Sequence, residues 1–88
     1  MLAKETQRRA FAKACEERFL DAGMNCDVTT QGGHAETLRI KWALSSKVSA
    51  HQISKGDLLQ TAKDMSFKKV ILTNGFTSDL GYTVYWDL

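Results

Sequence analysis

Cys15, Cys26, His34 and His51 are the side chains of this 88-residue chain best suited to covalent or metal chemistry. A nucleophilic thiol needs an exposed sulfur, a depressed pKa and a base beside it. Cys15 falls on the apolar side of a helical pattern and Cys26 on the apolar side of an alternating one. A thiol in such a position packs as a small hydrophobe. A Cys15–Cys26 disulfide is compatible with the same placement in an oxidising compartment. Structural zinc sites draw ligands in close pairs, and separations of eleven, eight and seventeen residues contain no such pair.

The carboxylates do not converge either. Glu16 and Glu17 fall on the outer side of the first helix, Asp21 and Asp64 near helix ends, and Asp79 in a turn. Acid–base catalysis needs two such groups in one site with their pKa values driven apart. Gln31-Gly32-Gly33 and Asn74-Gly75 are glycine turns with no helix after them, so they lack the strand–glycine–helix context of a phosphate loop. The expectation is a chain that is not an enzyme, with no metal and no cofactor.

The elements that position these residues are legible from periodicity. Phe11, Cys15, Phe19 and Ala22 recur at helical spacing over Thr6 to Ala22, and Gly23 stands where a left-handed cap is needed. The period then changes to two: Met24, Cys26, Val28 and Thr30 alternate with polar residues. After the Gly32-Gly33 turn, Leu38, Ile40, Trp42 and Leu44 alternate with Thr37, Arg39, Lys41 and Ala43, which completes a hairpin. A second helix is expected from Ser49 or Ser54 to Met65, with Gly56 as a break or late start. Phe67 to Thr73 reads as a strand. Asn74 to Gly81 is a turn region, and Tyr82 to Leu88 the last strand, with Tyr82, Val84, Trp86 and Leu88 inward.

Helix–strand–strand thus occurs twice, in halves of about 6–44 and 49–88 of one domain. An offset of 43 aligns Met24 with Phe67, Val28 with Ile71 and Thr30 with Thr73. An offset of 44 aligns Trp42 with Trp86. We read this as a pseudo-repeat whose halves share one core. The fold class is α+β: a two-layer α/β sandwich of order α-β-β-α-β-β, with a four-stranded, mainly antiparallel sheet and two helices on one face. The apolar run of the third strand suggests an interior position or a covered outer face.

Composition excludes disordered and fibrous classes: 43% of residues are hydrophobic and 25% charged. The net charge of +2 permits a nucleic-acid partner without pointing to one. No stretch is long and apolar enough for a membrane span, and no secretory leader is recognisable. The chain is therefore expected to be soluble: cytoplasmic if full-length, envelope or periplasmic if a leader was removed.

Function is expected on the helix-free sheet face. It displays Thr37, Arg39, Lys41, Thr83 and Tyr85, joined by Asn25, Asp27, Thr29 and one register of the third strand, with Lys41 opposite Asp87 as one candidate pair. Ile71, or Val70 with Leu72, must emerge there and make an apolar patch. Arg39, Lys41, Ile71 and Tyr85 are the candidate partner-binding residues. The last strand is a further candidate, as an edge that accepts a strand from a partner. The same basic residues with Tyr85 also suit a weak nucleic-acid interface, although sheets of that kind carry several exposed aromatics.

The α-β-β-α-β-β order resembles that of BON domains, small bacterial envelope modules. The runs Leu38-Arg39-Ile40-Lys41-Trp42 and Phe67-Lys68-Lys69-Val70 look similar to small bacterial domains of unknown role. The resemblance implies a bacterial, non-enzymatic binding or assembly module that engages a protein or envelope partner. A homodimer is compatible with the same surfaces.

Overall fold

A computed structural model describes residues 2–77 and 79–88, with side chains from Lys4 onward. Ser78, part of the second turn cluster, lies outside the described residues. The elements run α1 (Leu2–Asp21), β1 (Asp27–Gln31), β2 (Thr37–Lys41), α2 (Lys47–Lys55), α3 (Leu58–Asp64), β3 (Lys69–Thr73) and β4 (Thr83–Asp87). The strands lie in the order β1-β2-β3-β4. β1 is antiparallel to β2 and β3 to β4, while the central pair, β2 and β3, is parallel. A parallel pair needs a crossover, and α2 and α3 supply it. The α+β two-layer sandwich stands, as a mixed sheet with three helices where two were expected.

α1 ends as its sequence dictates. Gly23 takes φ +84°, its N–H bonds the Leu20 carbonyl, and the Met24 N–H bonds back to Phe19. The second helix begins earlier than expected, at the Ser46 cap. The Ser49 hydroxyl accepts from the Ser46 N–H at 2.8 Å and donates to the Ser46 carbonyl at 2.9 Å. Gly56 divides this helix, and a new start at Asp57 launches α3.

The core lies between the layers. Ala12 and Cys15 of α1 and Ala62 of α3 meet Val28, Leu38, Ile40, Val70 and Leu72 of the sheet. Leu38 and Val70 are fully enclosed. At about 25 cal/mol per Å² of apolar surface removed from water, each such side chain contributes on the order of 2 kcal/mol. Phe11 and Phe67, with ring centroids 5.8 Å apart, carry the core from α1 to the start of β3.

Three expectations need correction. β2 stops at Lys41, since β1 begins at Asp27 and offers no partner beyond it. The Trp42 N–H bonds the Thr73 carbonyl, the chain turns through Ser45, and Leu44 is left 72% exposed instead of facing the core. The residue-level correspondence between halves also breaks in β1 and β3. Val28 is buried on the helix side, whereas Ile71 has the opposite parity from buried Val70 and Leu72 and emerges on the open face. Finally, Lys41 faces Asp27 in register; it is Lys69 that faces Asp87.

Candidate functional site

The helix-free face is built by period-two alternation. Residues of odd number in β1, β2, β3 and β4 share this side, and the register aligns them into rows. The middle row is Thr29, Arg39, Ile71 and Tyr85. Three of the four candidate residues therefore lie side by side across three strands. Lys41 is one step along β2, in a row with Asp27, Thr73 and Thr83. The third row is Gln31, Thr37, Lys69 and Asp87.

The strands of this face carry three cations, Arg39, Lys41 and Lys69, against two carboxylates, Asp27 and Asp87, with Tyr85 as the aromatic. Tyr85 is 62% exposed, and the Lys69 ammonium lies 4.8 Å from its ring centroid, within cation–π range. The same ammonium is 3.9 Å from the Asp87 carboxylate. Among the described residues, Arg39 and Lys41 make neither an ion pair nor a side-chain hydrogen bond. Their charge is available to a partner.

The two edges of the sheet differ. Backbone groups of successive strand residues point alternately to the two sides of the strand. The Leu88 N–H bonds Lys68 and the Asn74 N–H bonds the Tyr82 carbonyl. By that alternation Tyr82, Val84, Trp86 and Leu88 turn their backbone toward β3. The N–H and C=O groups of Thr83, Tyr85 and Asp87 therefore point away from the sheet, and among the described residues nothing meets them. Beside them lies a groove between α2 and β4, lined by Lys47, Ala50, His51, Ser54, Val84 and Trp86, with a volume of about 310 Å³.

On β1 the outward groups belong to Val28 and Thr30. The Val28 N–H donates to Glu16 Oε1 of α1 at 3.0 Å, and the Thr30 hydroxyl accepts from Arg9 at 3.5 Å. α1 seals that edge.

Segments that hold these strands were partly missed. Arg8 is only 7% exposed; its guanidinium donates to the carbonyls of Ala35 at 3.0 Å and His34 at 2.6 Å, pinning the β1–β2 turn to α1. No periodicity distinguishes it from exposed Arg9. Asn74, also buried, donates to the Leu80 carbonyl and accepts from the Phe76 and Tyr82 N–H groups. It shapes the connection into β4. As a turn residue before glycine it was legible, although not as the loop's anchor.

Both cysteines are free and buried. Burial pushes the Cys15 thiol up to about 11, and raises the Cys26 thiol as well, aided there by Asp27 and Glu16. Thiolate chemistry at neutral pH is thereby disfavoured. His34 and His51 are exposed, and His34 lies 3.9 Å from Glu5. Among the described residues no three His, Cys, Asp or Glu side chains are grouped to hold a metal ion, and no helix is long and apolar enough to cross a membrane. No family model, curated protein or solved structure gives a significant match to this chain.

Proposed function

We propose that the chain is a non-catalytic protein-binding module that takes an extended segment of its partner as a fifth strand against β4. The observation that carries this reading is the row of outward backbone groups on Thr83, Tyr85 and Asp87. In strand addition, main-chain hydrogen bonds supply affinity and pockets for alternate side chains supply specificity. The groove beside α2 receives the added strand's helix-side residues, next to Val84 and Trp86. Its other residues continue the open face beyond Tyr85, within reach of the cation–aromatic cluster. Acidic or hydroxyl side chains suit those positions.

The test is selection of extended peptides from a random displayed library, followed by amide NMR titration. Selected peptides are expected to shift and protect the amides of Thr83, Tyr85 and Asp87. Tyr85→Pro, which removes an outward N–H without breaking the β3–β4 ladder, is expected to abolish their binding. Peptides that bind without touching those amides, or bind Tyr85→Pro equally well, contradict the reading. A short single-stranded oligonucleotide serves as the competing probe. Salt-dependent shifts confined to Arg39, Lys41 and Lys69 favour the nucleic-acid interface instead.

A further inference from the structure

The opposite layer of the molecule holds a cavity that strand addition does not use. About 330 Å³ in volume, it opens between the C-terminal half of α1, the α2–α3 junction and the helix side of β2. Ile40 and Leu72, each 1% exposed, belong to its inner surface. Half-buried Phe19, Met24, Trp42 and Leu58 form its sides. Its exposed lining residues, and hence its mouth, are Arg18, Gln52, Gly56, Asp57 and Thr61.

Apolar walls with a few polar groups at the entrance are the usual construction of a small-molecule site, and this volume is at the small end of such sites, which run from about 300 Å³ upward. The two charges at the mouth narrow the ligand. Arg18 and Asp57 are not paired with each other. Among the described residues neither side chain has a hydrogen bond or an ion pair with any other group. A ligand carrying only a carboxylate meets Arg18 favourably and Asp57 unfavourably; a simple amine has the reverse problem. A zwitterion satisfies both.

We propose that the cavity binds a free α-amino acid with an aromatic or large aliphatic side chain, the side chain between Phe19, Trp42 and Leu58, the carboxylate at Arg18 and the ammonium at Asp57. Binding is non-covalent. The neighbouring thiols of Cys15 and Cys26 are buried and protonated at neutral pH, so they act as apolar lining. The break sets Asp57 at the lip: α2 ends at Lys55 and α3 starts at Leu58, with Gly56 and Asp57 between them.

Amide NMR titration of the full chain with L-phenylalanine, 3-phenylpropionate and phenethylamine tests this directly. Phenylalanine is expected to saturate shifts around Phe19, Trp42 and Leu58, at least tenfold more tightly than either singly charged analogue. Arg18→Gln is expected to weaken phenylalanine by about tenfold and leave phenethylamine no weaker; Asp57→Asn does the converse, sparing 3-phenylpropionate. Both substitutions are at exposed positions, so the fold is retained. Equal or tighter binding of a singly charged analogue overturns the proposal. So does an absence of saturable shifts for phenylalanine, leucine and tryptophan at millimolar concentration. Neither result bears on the β4 edge.

Discussion

β1 and β4 are both five-residue edge strands beside a helix, and they are finished in opposite ways. α1 lays Glu16 against β1, where its carboxylate takes the outward Val28 N–H. α2, with the sequence Lys-Val-Ser-Ala-His-Gln-Ile-Ser-Lys, carries no carboxylate to do the same for β4. Edge strands left open invite pairing with another chain, and folded proteins commonly cover or charge them. The difference teaches that one edge of this sheet is partly closed from within the chain, at the Val28 N–H, while the other keeps its outward backbone groups unmet among the described residues.

Proline probes that difference with the largest expected effect. Val84→Pro removes an N–H directed into the β3–β4 ladder and is expected to cost about 3 kcal/mol, whereas Tyr85→Pro removes an outward one and costs about 1 kcal/mol. Urea unfolding of the two variants distinguishes them; equal losses break the assignment of backbone direction. Asn74→Ala comes next. It removes three hydrogen bonds at a buried site and leaves the Phe76 and Tyr82 N–H groups without their acceptor, a loss of about 2.5 kcal/mol. Amide exchange in that variant is expected to accelerate in β4 more than in β1.

The alkaline response belongs to the closed side, where both thiols lie. The Cys15 thiol ionises at about 11 in the folded protein against 9.0 for the ordinary group. Above pH 9 the unfolded chain gives up its proton first. Stability from this group is therefore intact below pH 9 and declines as pH rises toward 11, by up to roughly 2 kcal/mol. Cys15→Ala is expected to flatten that decline in thermal unfolding measured from pH 8 to 11. The smallest effect sharpens the comparison at one hydrogen bond: Glu16→Ala exposes the Val28 N–H at a partly buried edge. The expected cost is about 1 kcal/mol, with faster exchange at Val28 and no change at Val84.

The sequence made the helix side of the sheet and its opposite face legible because alternation survives in β1, β2 and β4. Leu38 and Ile40 are core, and Arg39 and Lys41 are not. Where alternation runs past the pairing it misleads, as at Leu44, since burial needs a neighbouring strand and β1 supplies none there. The alternative of Ile71 against Val70 and Leu72 at the open face depended on strand phase alone, and Ile71 is the one that emerges. Arg8 escaped detection because a cation is normally solvated; only the two turn carbonyls brought to it by tertiary packing make its burial favourable. The charged mouth of the helix-side cavity is likewise assembled from α1 and the α2–α3 junction, remote in sequence. The parallel pairing of β2 and β3 depends on how the crossover packs, and the difference between edges on a single glutamate.

Amide hydrogen exchange of the free chain, resolved by NMR, tests the open edge most directly. The account predicts alternation along one strand: Thr83, Tyr85 and Asp87 exchange close to the rate of an unstructured amide, while Val84 and Trp86 are protected to the level of β3, and Val28 on the other edge is protected through Glu16. Uniform protection along β4, with Tyr85 as slow as Val84, would mean the edge is already covered and would contradict the account.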